Sequence, residues 1–261
     1  MGLSGIGRQS ELIWFLTRDV LRKQFAGSLL GLWWVVLKPV CLVGIYSLVV
    51  LAVLRPTAGS GLTPAGYLLL VMSGMGPWLL VAEPVTAAAG SIAANTPLLA
   101  KVLFPIEVLP VSRVLAAAIS GAATVLLLIA WLGLEGRLGF WAAAVPGVVL
   151  IQMIFVLGLG WSVAAVAVSL PDVAHALPFG LNLWMLLSPV LYSPEMVPPG
   201  WGWLWQINPM WPTIAVYRSL LLENAAPDPV HLAMMAGWAA ASSVAGYAIF
   251  MKRRRMFADV I

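Results

Sequence analysis

Residues able to do chemistry are few in this 261-residue chain, which has ten Asp and Glu, two His and one Cys. Glu83, Glu107, Glu135, Asp172, Glu195 and Glu223 stand far apart in sequence, with no paired-carboxylate motif for general acid–base work. No G-x-x-x-x-G-K-[ST] is present, so the chain has no phosphate-binding loop of its own. H-E-x-x-H and G-x-S-x-G, which would signal zinc-dependent or serine-based hydrolysis, do not occur either. Cys41 has no second cysteine to pair with, and one Cys with two His cannot build a metal cluster. Inside its apolar run Cys41 reads as a small buried hydrophobe. The expectation is a non-enzymatic protein with no catalytic, cofactor or metal site.

Aromatic and basic residues are concentrated instead. Between Ser193 and Pro229 lie Trp201, Trp203, Trp205 and Trp211 together with seven prolines. Such tryptophans form an interfacial belt in many membrane proteins. Aromatic faces also suit the C–H faces of sugars, so a saccharide path is the functional alternative. Composition alone favours the belt.

The elements that position these groups follow from the chain's overall character. Hydrophobic residues make up 62% and charged residues 9%, with mean hydropathy +0.98. A soluble domain carries about 25% charged residues, so this chain cannot furnish a water-facing surface and reads as a membrane protein. No cleavable signal is expected, because the first strongly apolar block starts near Gly31, behind a charged stretch.

Crossing the hydrocarbon core takes about 20 apolar residues per helix. Six segments qualify: 31–54, 62–82 with an extension past Pro84, 114–134, 138–170, 173–192 and 230–251. The fold class is all-α, because barrel strands would alternate polar and apolar residues. Arg8, Arg18, Arg22, Lys23, Lys38, Lys101, Arg113 and the run Lys252-Arg253-Arg254-Arg255 fall on one side of this arrangement. Arg55, Arg137 and Arg218 fall on the other. The positive-inside rule then puts both termini in the cytoplasm. His175 and Glu83 are the ionisable groups nearest membrane depth, both close to the inner edge.

Residues 10–26 have Leu12, Ile13, Leu16 and Val20 on one side of a helix, with Asp19 and Lys23 as an i,i+4 pair. The pattern predicts an amphipathic interface helix, serving as an anchor or as a docking surface. Asn95 or Thr96 can cap a second short helix that has Pro97 in its first turn and ends at Pro105. Leu98, Leu99, Val102 and Phe104 give it an apolar side that suits a protein contact or a re-entrant turn.

Several segments in order resemble the permease subunits of ABC-2 type exporters, specifically the Wzm group, with the related teichoic-acid and capsule permeases. They are Thr17-Arg18-Asp19, Ser28 to Trp34 with Lys38-Pro39, and Asn95 through Lys101 to Pro105 and Pro110. Further along come Pro171-Asp172-Val173, Ser188 to Tyr192, Asn208-Pro209-Met210 with Tyr217-Arg218, and Phe257 to Ile261. Family members usually carry Arg where this chain has Pro171.

The resemblance implies one transmembrane domain over 1–261. Its parts would be a cytoplasmic interface helix (1–30), spans one to five (31–192) with a coupling helix near 95–105, an external gate loop (193–229), span six (230–251) and a cytoplasmic tail (252–261). It implies a homodimer served by two copies of a separate Wzt-like ATPase, which would hold the ATP and Mg. Coupling residues would be Arg18, Asp19, Arg22, Asn95, Leu98, Leu99, Lys101, Phe104 and Asp172. A glycan channel would be lined by Trp33, Trp34, Tyr46, Trp184 and Tyr192. An external gate would use Trp201, Trp203, Trp205, Trp211, Tyr217 and Arg218. The pyrophosphate head of a lipid-linked O-antigen-like polysaccharide would meet Arg8, Arg22, Lys23 and Lys38. An ABC-2 exporter of teichoic acid, capsule or a small lipid or drug is the alternative. An intramembrane enzyme acting on lipid-linked sugars is a third reading, opposed by the lack of clustered carboxylates.

Overall fold

The computed structural model describes residues 3–49, 52, 63–96, 105–197 and 200–260. All regular structure among them is helical. In chain order the helices are α1 (Leu3–Phe25), α2 (Trp34–Val49), α3 (Pro64–Ala89), α4 (Val108–Leu134) and α5 (Val145–Ser169). They continue with α6 (Asp172–Leu186), α7 (Trp203–Gln206), α8 (Met210–Leu221) and α9 (Pro229–Val260). Four stretches are long and apolar enough to cross a bilayer: Pro64–Ala89, Val108–Leu134, Phe140–Ser169 and Pro229–Arg254.

Local chemistry explains the boundaries. Thr63 starts α3 by accepting the Gly66 amide at 3.1 Å, with Pro64 in the first turn, where its missing N–H costs nothing. The helix runs on through Pro77 and Pro84 to Ala89, so the expected extension past Pro84 is present. Before α5, the tighter 3-10 turn Phe140–Ala144 takes up the excess length of the fourth apolar block. The described part of α2 ends at Val49, so the far end of the first expected span lies outside the described residues.

Two expectations are corrected. The fifth apolar block does not form one helix to Tyr192: α6 stops at Leu186 after 15 residues. At 1.5 Å per residue that is about 22 Å, less than the ~30 Å hydrocarbon core. Leu187–Ser193 is irregular and wedged into the bundle, with Ser188, Val190 and Ser193 buried. Cys41 is exposed on α2 rather than buried, because its side of α2 is not covered by any of the described residues.

The core centres on α3, which buries Tyr67, Leu69, Val71, Met75, Trp78 and Val81 against α4, α5 and α8. The other extensive pairing is α5 with α9. A Cβ on Gly158 would lie 2.3 Å from the Ser242 backbone, so glycine lets the two backbones cross in close contact. The Ser242 hydroxyl donates to the Phe155 carbonyl at 2.9 Å in the same crossing. Past the last apolar stretch, α9 stays helical through the basic run. There Arg254 meets Glu107 at 3.5 Å, and Phe257 packs edge-to-face on Phe250.

Candidate functional site

Two features use the chain's scarce polar groups. One is a cavity at the end of the bundle that carries the basic residues. The other is a buried clasp at the opposite end.

The basic-end cavity has a volume of about 780 Å³ and lies among α1, α2, α3, α4 and α6. Helix α1 forms one wall because its apolar side docks on the chain itself: Leu16 is buried against Val108 and Leu109, flanked by Leu12 and Ile13. This turns Asp19 and Lys23 toward the cavity, where they pair at 2.7 Å. Lys38 of α2 reaches Glu83 of α3 at 2.5 Å. Arg113 of α4 also lines the cavity, and its buried Nε has no hydrogen-bond partner among the described residues. Asn95 and Asn182 add neutral polar groups, while Leu42, Ala117 and Leu181 make the remaining wall apolar.

The clasp holds the irregular segment after α6. Arg218 of α8, only 8% exposed, donates to the carbonyls of Pro189 at 2.8 Å and Tyr192 at 3.2 Å, and to Ser73 Oγ at 3.3 Å. The Ser73 hydroxyl in turn donates to the Leu70 carbonyl at 2.7 Å. The Tyr67 hydroxyl donates to the Leu191 carbonyl at 2.6 Å. Asn208 donates to the Leu187 carbonyl and to Ser188 Oγ, and it accepts from the Met210 amide and the Trp184 indole. These bonds satisfy backbone groups that a helix would otherwise have satisfied internally, as irregular backbone inside a membrane protein requires. Burial pulls the Arg218 pKa down to about 10; Glu195 and Glu223 nearby oppose that shift, and the guanidinium stays charged at neutral pH. Behind it, the Tyr217 hydroxyl donates to Gln152 Oε1 at 2.9 Å, and Gln152 donates to the Pro77 carbonyl at 2.6 Å.

The residues expected to act together are only partly gathered. In the coupling set, Arg18 lies exposed over the Trp14 ring at 4.7 Å, Arg22 and Asp172 are exposed, and Asp19 is half-buried. Asn95 and Thr96 send their side chains backward, to the Ser91 and Ala93 carbonyls. Leu98, Leu99, Lys101 and Phe104 lie outside the described residues.

The aromatics of the channel set are spread. Trp33 and Trp34 are exposed and Tyr46 is half-buried against the core. Tyr192 donates to the Leu186 carbonyl at 3.2 Å. Trp184 is drawn inward by Asn208 and packs edge-on against Trp78 at 5.4 Å. In the gate set, Trp201 and Trp203 are exposed and Trp205 stacks on Trp211 at 5.3 Å, whereas Tyr217 and Arg218 are interior.

Sequence reasoning gave no role to Gln152 and Ser73 and did not single out Arg113. Gln152 had a signal, as the only amide side chain within the apolar block 138–170. Arg113 had none beyond its sign.

A helical bundle that ties buried polar groups such as Arg218 and Gln152 into internal hydrogen bonds and leaves large apolar faces exposed is an integral membrane protein. The ABC-2 type transporter family matches residues 11–222, and the chain belongs to that family. It is similar over nearly its whole length to proteins named O-antigen export system permease protein RfbA. One from Klebsiella pneumoniae is 24% identical, covering 98% of this chain and 97% of its own length. One from Myxococcus xanthus is 28% identical, covering 94% of each.

Proposed function

We propose that this chain is the permease half of an ATP-driven exporter that moves a lipid-linked, O-antigen-like polysaccharide across the cytoplasmic membrane. The observation that carries the reading is the end-to-end similarity to O-antigen export permeases, which leaves no large part of either chain unmatched. Six membrane segments fit the sequence, with α6 and the clasped segment after it together serving as the fifth. The positive-inside rule puts the basic end and both termini in the cytoplasm. Two copies would enclose the polymer path, and two copies of a Wzt-like ATPase would bind beneath them, supplying the ATP and Mg. The segment around Asn95 to Pro105 and the exposed Arg18, Arg22 and Asp172 are the coupling surface in this reading. Trp33, Trp34, Tyr46, Trp184 and Tyr192 are the candidate path. Trp201, Trp203, Trp205 and Trp211 form an outer rim, anchored by the buried Tyr217 and Arg218.

Deletion in the native host tests this. Lipid-linked polymer is expected to accumulate inside the cell while surface glycan is lost, with both restored by the intact gene. Normal surface glycan in the deletion strain refutes the export reading.

A further inference from the structure

Helix α9 makes specific contacts at both ends of the bundle. It runs 32 residues from Pro229 to Val260 with no proline in its interior, about 48 Å of unbroken helix. At its outer end, His231 meets Trp211 of α8 edge-on at 5.6 Å, and Trp211 stacks on Trp205 of α7 at 5.3 Å. His231, Trp211, Ala215 and Arg218 share a small outer cavity of about 330 Å³. At its inner end, Tyr247, Phe250, Arg254 and Phe257 follow an i, i+3, i+7, i+10 spacing and so fall on one side of the helix. Tyr247 meets Trp161 of α5 at 5.3 Å. Phe250 and Phe257 are buried in one cluster with Ile92 and with Ala164 and Ala165 of α5, and Ile106 packs against it. Arg254 pairs with the Glu107 carboxylate at 3.5 Å, and the Glu107 carbonyl accepts the Trp161 indole at 3.2 Å. Ile92 lies at the start of the connection between α3 and α4, and Ile106 and Glu107 lie at its end. The tail of α9 therefore grips both ends of that connection. Helix α8 packs on α3, α5 and α9. Of these, α3 is softened by Pro77 and Pro84, each of which removes a backbone hydrogen bond. Helices α5 and α9 cross in backbone contact, where a Cβ on Gly246 would lie 2.0 Å from the Gly158 carbonyl oxygen, so the two move together.

We propose that α9 is the lever that carries movement of the α3–α4 connection to the outer aromatic stack, with Phe257 and the Arg254–Glu107 pair as the latch at its inner end. This rests on the export reading, in which that connection receives the push of a separate ATPase. Phe257 supplies the grip, because a ring buried this completely holds the tail in place. The ion pair supplies the register. Arg254 and Glu107 are 39% and 24% exposed, so solvent screens the pair and it adds little to overall stability. Cutting the pair loosens the link and leaves the fold intact. Movement passed along the stiff helix reaches α8 through the His231–Trp211 contact and shifts the walls of the outer cavity, Ala215 among them.

The test uses the full chain, copurified with its native ATPase and held in nanodiscs, carrying Cys41→Ser and Ala215→Cys so that one thiol reports on the outer cavity. The probe is a membrane-impermeant methanethiosulfonate, whose labelling rate follows the population of the open cavity. ATP with orthovanadate is expected to change that rate at least about threefold. Glu107→Arg is expected to remove the change while the complex stays assembled, hydrolyses ATP and melts within about 3 °C of the parent. Exchanging the charges, Glu107→Arg together with Arg254→Glu, is expected to restore it. A parent rate that ATP leaves unaltered overturns the lever. So does a full response in folded Glu107→Arg, or an exchanged pair that responds no better than Glu107→Arg alone. Should Glu107→Arg fail to fold, Arg254→Gln decides: a lost response supports the lever, and a full response overturns it. Normal surface glycan in the deletion strain, with the labelling pattern as expected, removes export and leaves the lever. Glycan that depends on the gene, with a full response in Arg254→Gln, removes the lever and leaves export.

Discussion

Arg218 ties together three acceptors from two separate stretches of chain, the carbonyls of Pro189 and Tyr192 and the hydroxyl of Ser73. A lysine has the charge but no fork, and cannot hold all three in one geometry. Arg218→Ala leaves buried carbonyls unpaired and is expected to cost about 2–4 kcal/mol, with Arg218→Lys in between. Thermal unfolding in detergent measures this, and proteolysis should find a new cut within Leu187–Ser193. An unaltered melting temperature and cleavage pattern would show that the clasp is not needed. As a residue in sequence, Arg218 reads as an external positive charge in an aromatic loop. Burial is what makes it a fastener, and burial depends on Ser73 and Pro189, which lie 145 and 29 positions away. Arg113 shows the same gap: the sequence supplies its sign, and only the helices around it show that no carboxylate among the described residues pairs with it.

At the scale of elements, the crossing of α5 and α9 depends on Gly158, where a Cβ would meet the Ser242 backbone at 2.3 Å. Gly158→Leu is expected to force the helices apart and lower the yield of folded protein sharply. Gly147→Leu on the same helix serves as the control, since nothing lies within 4 Å of its added Cβ. Size-exclusion chromatography of the two variants measures the difference, and equal monodisperse yields would argue against a close-packed crossing. Long apolar blocks made α3, α4 and α9 legible, because a helix in lipid must bond its own backbone wherever it crosses. The end of α6 was not legible. Leu187 to Tyr192 is as apolar as the helix before it, and the break persists because Tyr67, Asn208 and Arg218 from elsewhere satisfy its backbone.

At the scale of the whole molecule, exposed apolar side chains such as Phe179 and Leu183 on α6 and Val244 on α9 mark surfaces that must meet lipid or another protein. In the proposed arrangement some of them meet a second copy. Mass photometry in nanodiscs is expected to give protein mass near twice 27.8 kDa, and fluorescent fusions at both ends should report the cytoplasm. A monomeric species, or ends on opposite faces, would contradict that arrangement. By itself the sequence determined that the chain lives in a membrane, is helical, and carries its positive charge toward one end. Those properties follow from composition and periodicity, which act residue by residue. The tertiary structure alone decided which charges are paired, where the fifth apolar block stops being a helix, and that a cavity opens beside Arg113. Each of these depends on groups far apart in the chain being brought within hydrogen-bonding distance, and no local pattern encodes that meeting.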